Sequence, residues 1–304
     1  MENIGSTVHL EQMVGGAYSL YAAHMVERLG GVHIFVADDR DSAAYLVNDL
    51  YELLDEEHVG FFASGYKRSA AYGAEDAQGI VRRTAALNAI KNFKRGYLVI
   101  CTYPEALAES VADEERLAEQ SLHLAVGDTM QQASLVEWLS THNFTRVDFV
   151  YEPGQYSVRG GLVDIFSYVE SKPYRVDFFG DVIDSLRRFD ISSQLSAERP
   201  DEVDIIPNML SDSGAAKRVS LATFAAEATW WMADGDHILR KIADIRKKVL
   251  ETAESEEDAE RLAQRVTSRQ RLLEELKGQT LVLRRNNIRE REATYTVTFN
   301  TQPQ

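Results

Sequence analysis

A single cysteine, no long apolar run and a shortage of basic residues narrow what this chain can be. Cys101 is the only cysteine, so an internal disulfide and a cysteine-based zinc site are both excluded, which suits a reducing, cytoplasmic setting. Its place at the end of Tyr97-Leu98-Val99-Ile100-Cys101 makes it a buried strand residue rather than a reactive thiol. No apolar stretch approaches the roughly 18 residues of a membrane span. The first ten residues lack the basic-then-apolar order of a signal peptide. Bases number 33 against 48 acids, a net charge of −15, which opposes nucleic-acid binding through the whole surface. The densest basic stretch, residues 283–291, is diluted by Glu290 and followed by Glu292, and reads as a solvated face.

Catalytic signatures are also missing. Residues 13–19 stand where a phosphate-cradling loop would precede a helix, yet Gly-Lys-Ser/Thr occurs nowhere in the chain, so no lysine is available for a nucleotide's β- and γ-phosphates. Asp55-Glu56-Glu57-His58 imitates a helicase acid box, but it follows a helical pattern instead of ending a buried strand, and reads as a polar helix end. The seven histidines (His9, His24, His33, His58, His123, His142 and His237) show no metal-ligand spacing and read as surface or satisfied core residues. No nucleophile motif stands out. The expectation is no catalytic residue, no cofactor and no metal.

What is present is an ordinary globular composition, 44% hydrophobic and 27% charged over 304 residues, enough for two or three packing units. The first segment, residues 1–120, alternates helices (13–29, 41–54, 79–93) with apolar strands (32–37, 59–62, 97–102), the pattern of a parallel sheet covered on both faces. The second, residues 121–207, has one helix (130–142) and then consecutive strands at 146–150, 156–158, 162–166, 174–179 and 182–189, which predicts a mixed α+β unit with an antiparallel sheet. Phe179-Gly180-Asp181-Val182 marks a tight hairpin. The third, residues 208–304, reads as a helix at 222–232, two charged helices within 235–276 separated by the acidic break at 254–258, and strands at 280–283 and 294–299.

Alternation along Tyr174-Arg175-Val176-Asp177-Phe178-Phe179 puts Tyr174, Val176 and Phe178 on a core face and Arg175, Asp177 and Phe179 on the other. An arginine beside an exposed phenylalanine suits a protein-recognition hot spot. The same pattern equally allows Phe179 to pack under a loop while Arg175 neutralises Asp177. Arg159, at the bend Arg159-Gly160-Gly161, either aims at the same surface or pairs with an acid such as Glu152 or Asp164. Residues 121–207 hold seven bases and fourteen acids, net −7, a background that favours a protein partner over DNA.

The run from Tyr151-Glu152-Pro153-Gly154-Gln155-Tyr156-Ser157-Val158-Arg159-Gly160-Gly161-Leu162-Val163-Asp164-Ile165-Phe166 through Tyr174-Arg175-Val176-Asp177-Phe178-Phe179-Gly180-Asp181-Val182 to Asp190 resembles the UvrB-type interaction domain. The stretch Ser192-Ser193-Gln194-Leu195-Ser196 and the ending at residues 299–304 are more similar to the bacterial transcription-repair coupling factors than to UvrB itself. The resemblance implies a degenerate helicase-like parallel-sheet domain, its first and third segments packed as one unit, interrupted by an inserted mixed α+β UvrA-binding domain. It implies a non-catalytic module that recruits UvrA to a stalled RNA polymerase through Arg159, Arg175 and Phe179, a surface masked until the motor engages. Contacts to polymerase and DNA, and an ATP-dependent translocase activity, would belong to regions beyond Gln304. The alternative is a UvrB-like ATP-dependent damage verifier. The missing loop lysine and the lack of a tyrosine-rich hairpin insertion between Phe61 and Tyr97 speak against it. A third reading is a scaffold that contacts only its own motor.

Overall fold

The computed structural model describes residues 7–11, 13, 16–67, 75–113, 115, 119–170, 172–208, 218–285 and 295–298. The chain divides into two compact units: Met1–Asp113 with Lys217–Gln304, and Glu114–Ala216. The α/β and mixed α+β classes are those that the sequence pattern predicted, and the interruption of the first unit by the second is what the family resemblance implied.

In the first unit, strands β1 (Thr7–Glu11), β2 (Gly31–Val36), β3 (Val59–Phe61) and β4 (Tyr97–Thr102) alternate with helices α1 (Ala17–Leu29), α2 (Arg40–Tyr51) and α3 (Ala77–Asn92). The short helix α4 (Pro104–Ala108) and strand β5 (Val111–Ala112) follow. Beyond the second unit the chain returns with β14 (Arg218–Val219), β15 (Thr229–Asp234), β16 (Thr280–Arg285) and β17 (Tyr295–Thr298). Seven strands pair in parallel in the order β17-β1-β16-β15-β2-β4-β3, while β5 pairs antiparallel with β14. Burial on both faces explains the continuous apolar runs of β2 and β4, in which Ile34, Phe35, Val99, Ile100 and Cys101 have almost no exposure.

The helix expected at residues 222–232 does not form. Ser220 caps a single helical turn, Leu221–Phe224, and the chain then enters β15 between β2 and β16. Trp230, Trp231 and Met232 are buried there, because a central parallel strand needs large apolar groups on both faces, and such a short run carries no period that separates it from a helix. Trp231 stacks on Phe35 with ring centroids 4.9 Å apart and donates its indole N–H to Nδ1 of His33 at 3.1 Å. The other ring nitrogen of His33 then carries the proton and donates to the Gly30 carbonyl at 2.9 Å, so His33 is a satisfied core histidine.

The charged stretch of residues 235–276 forms three helices, not two. Gly235–Leu250 is capped by Asp234 and buries Ile238, Leu239, Ile242, Ile245 and Val249 at three- and four-residue spacing. The acidic break is a helix start: Ser255 caps Glu256–Arg265 and places Glu256, Glu257 and Asp258 at its positive end. Ser268 caps a third, Arg269–Leu276. Strand β1, which the sequence reading had passed over, fills the place between β16 and β17. Glu56–His58, within the acid-box look-alike, is a 3-10 turn between α2 and β3. Residues 286–291 of the basic stretch, 68–74 of the segment between Phe61 and Tyr97, 14 and 15 of the loop before α1, and 299–304 lie outside the described residues.

Among its described residues the second unit holds β6 (Leu122–Ala125), β7 (Thr145–Arg146), β8 (Gln155–Arg159), β9 (Leu162–Ile165), β10 (Tyr174–Phe179), β11 (Val182–Phe189), β12 (Ser196–Glu198) and β13 (Glu202–Ile205), together with the helix Gln132–Thr141. Six strands run β12-β11-β10-β9-β8-β7, antiparallel except for β7 against β8; β6 and β13 pair separately. The strand expected at residues 146–150 shortens to Thr145–Arg146. Leu135 and Leu139 of the helix join Val163, Ile165, Tyr174, Val176, Phe178, Ile183 and Leu186 in the core. Asp177 faces Ser185 while Phe178 faces Ile183, so a bulge at Asp184 lets Ile183 and Leu186 both point inward despite their odd spacing. Gly180, at φ +64°, makes the hairpin turn. A Cβ on Gly154 would lie 2.1 Å from the Tyr168 hydroxyl.

One buried ion pair ties the first unit together. Arg83 of α3 meets Glu109 at 3.0 Å, and both are almost fully buried. Arg83 also donates to the carbonyls of Ala63 and Glu109 at 3.3 and 2.9 Å, while Glu109 accepts from the Ser64 hydroxyl and the Gly65 amide. Burial raises the Glu109 pKa, against the lowering effect of Arg83. Arg83→Met therefore leaves a buried carboxylate without its cation, and is expected to cost about 3–5 kcal/mol in urea unfolding. Adding Glu109→Gln should restore part of that loss; a single variant as stable as wild type would contradict it.

Candidate functional site

The second unit's sheet has a polar face. Cross-strand register puts Ser157, Asp164, Arg175 and Arg187 directly opposite one another across β8 to β11, and Arg159, Leu162, Asp177 and Ser185 in the next row. Strand alternation sends the apolar residues between them to the core, so this face collects the charged side chains.

Two of the three predicted partner-binding residues converge on one carboxylate. Arg175 grips Asp164 with both prongs, Nε to Oδ1 at 2.7 Å and Nη2 to Oδ2 at 2.8 Å. Arg159, across the Gly160 turn, donates Nη2 to the same Oδ2. The Asp164 side chain is only 2% exposed, Arg175 14% and Arg159 38%. Arg175 lies over the buried Phe189 ring, 4.3 Å from its centroid, and Arg159 lies 5.0 Å from the centroid of the half-exposed Phe149. Hydrogen bonding to Asp164 raises the Arg175 pKa, so its guanidinium stays charged.

This arrangement decides two matters that alternation left open. Arg175 pairs with Asp164, whereas Asp177 is taken by Arg187 at 2.8 Å. Arg159 likewise chooses Asp164 over Glu152. Phe179 does not pack under a loop: it ends β10 opposite Val182 and is 82% exposed. It stands four residues along the strand from Arg175, roughly 13 Å at the usual rise of ~3.3 Å per residue. The structure thus joins the two arginines and sets Phe179 apart on the hairpin.

A turn borders Arg175. Asp190 accepts from the amides of Ser192 and Ser193 at 3.0 and 2.9 Å and from both hydroxyls. The turn ends with Gln194 in the left-handed region (φ +59°), its side-chain oxygen 3.2 Å from Arg175 Nη2. Leu195 beside it is exposed. Sequence reasoning passed over Asp164 as the hub, and Phe149, Phe189 and Gln194. The available signal was Asp164 itself, an acid enclosed by Leu162, Val163, Ile165 and Phe166, where only a paired carboxylate is tolerated. Among the described residues no cluster of three or more His, Cys, Asp or Glu could hold a metal ion, and no helix is long and apolar enough to cross a membrane.

The Ser192 hydroxyl, followed by the Ser193 amide, lowers the Asp190 pKa to about 2. A lowered carboxylate pKa means the turn's contribution is complete above the ordinary value of about 3.9 and is lost as pH falls through about 2. Carbon-detected NMR titration should find this midpoint, and Ser192→Ala with Ser193→Ala should move it back toward 3.9. A midpoint near 3.9 in the unmodified chain would show that the turn is not held this way.

Residues 122–210 match the model of the UvrB interaction domain family. The chain is 28% identical to the transcription-repair-coupling factor of Escherichia coli strain K12 over 199 residues, 65% of this chain and 17% of that protein. It is 31% identical to the one from Myxococcus xanthus over 155 residues, 50% of this chain and 13% of that protein. The coupling factor of Staphylococcus aureus strain USA300 is 25% identical over 172 residues, 57% of this chain and 14% of that protein. The chain therefore spans about a sixth or less of the length of these relatives. The chain is thus similar to the transcription-repair-coupling factors, and its residues 122–210 match the UvrB interaction domain.

Proposed function

We propose that this chain is the N-terminal, partner-recognition module of a transcription-repair coupling factor, and that it recruits UvrA to RNA polymerase stalled on damaged DNA. The observation that carries the reading is the exposed Phe179 on the same sheet as an ordered arginine pair, within the segment that matches the UvrB interaction domain. Large apolar surface at a strand end and fixed cations nearby are the chemistry of a protein-binding hot spot. The acidic background makes a protein a better partner for this face than DNA. Arg159, Arg175 and Phe179 form the proposed UvrA-binding set. The module has no chemistry of its own and needs no cofactor in this reading. ATP-driven translocation and contacts to polymerase and DNA belong to the rest of the coupling factor.

Purified UvrA captured by this chain, measured by surface plasmon resonance, tests the assignment. Phe179→Ala and Arg159→Ala should each weaken binding by about 2 kcal/mol, roughly thirty-fold, with unchanged circular dichroism. Full affinity in both variants would remove the site. No binding by the unmodified chain would favour the intramolecular scaffold. Micromolar affinity for ATP would favour the damage-verifying alternative.

A further inference from the structure

The two arginines of the proposed surface are not equivalent. Arg175 is mostly buried, stacked on a buried ring, and commits Nε and Nη2 to Asp164, with Nη2 also reaching Gln194. Little of it remains for a partner. Arg159 is more than a third exposed, donates to Asp164 through Nη2, and lies over Phe149, itself half exposed. A guanidinium has five N–H donors in a planar fork, so Arg159 keeps donors available beyond that bond. An unrestrained arginine side chain samples many rotamers, and a partner would have to overcome that entropy on binding. Asp164 and Phe149 hold the fork before any partner arrives. Asp164 itself is too buried for a partner to displace, and its one negative charge against two arginines leaves the cluster at +1 within an acidic unit.

We infer that Asp164 is a positioning residue that fixes the Arg159 guanidinium over Phe149, so that its free edge meets a carboxylate of the protein partner, with Arg175 as the buried counterion that holds the Asp164 carboxylate in place. This rests on the reading of the surface given under Proposed function. It assigns Asp164 a role in recognition without contact, and adds Phe149 to the residues that shape the surface.

The test is a double-mutant cycle on UvrA affinity, with folding followed by thermal melting. Asp164→Asn should weaken binding about tenfold in the unmodified chain and in Phe179→Ala, but less than twofold in Arg159→Ala, where nothing remains to be positioned. Equal weakening in the Arg159→Ala background would mean Asp164 acts on the sheet as a whole, and would overturn the inference. Arg159→Lys covers the case in which Asp164→Asn folds poorly, because the site is partly exposed and the charge is kept. It should lose nearly as much affinity as Arg159→Ala, since an ammonium cannot reproduce the planar fork. Retained affinity would show that charge alone suffices and would sink the idea. The Arg159 Nη–H resonances, seen without any partner, should be shifted and slow to exchange in the unmodified chain and collapse to the free-arginine position in Asp164→Asn. A free-arginine signal in the unmodified chain would also overturn it. Unchanged binding in both Arg159→Ala and Phe179→Ala is a separate failure, that of the surface itself; weakened binding there with an indifferent Asp164→Asn sinks only the positioning role.

Discussion

A carboxylate removed from water must be matched by donors of opposite charge, and the polar face of the second unit is arranged around that requirement at Asp164. β9 places the acid beneath the surface, β10 and β8 bring an arginine from either side, and the aromatic rings of Phe189 and Phe149 support the two guanidinium planes. The Asp190 turn then closes over Arg175 through Gln194. Each piece is local and ordinary. Together they turn a flexible pair of long side chains into a fixed feature, with Phe179 free on the hairpin beyond it. Next to it the Arg187–Asp177 pair is partly exposed, and contributes less to the order of the face.

The same rule operates in the first unit with a different result. Arg83 and Glu109 are both enclosed, and their donors and acceptors are spent on the Ser64 hydroxyl and on the backbone of residues 63, 65, 106, 109 and 110. Nothing is left for a partner, so that cluster acts as a fastening.

Elements whose periodicity is long or whose turn chemistry is unambiguous were legible in the sequence: the alternation of β10, the Gly180 hairpin, the parallel run of β2 and β4, the buried Cys101. Residues 222–232 were misread because Trp230-Trp231-Met232 is apolar throughout, and only the neighbouring strands β2 and β16 decide that it is extended. The two charged helices became three because Ser268, a cap, was hidden among charged residues. At the site, alternation and the family resemblance pointed to Arg159, Arg175 and Phe179. Their environments were not legible, because the choice of Asp164 over Glu152 and Asp177 depends on register across three strands and on the bulge at Asp184. The burial of Arg175 depends on a turn fifteen and more residues away.

The pairing of β5 with β14 has a consequence for the history of such chains. Arg218 faces Ala112 and Val219 faces Val111, so the first unit hydrogen-bonds together the two places where the chain leaves it and comes back. Ser110, just before β5, gives its carbonyl to Arg83 and Arg218, which anchors that doorway to the buried ion pair. A host whose doorway is closed by its own ladder is indifferent to how much chain lies outside it, since closing a longer loop adds only about 0.6 kcal/mol per doubling. Such a junction lets an insert be exchanged, enlarged or trimmed by recombination while the parent sheet keeps its register, and a recognition sheet can change its clientele without the host having to be redesigned.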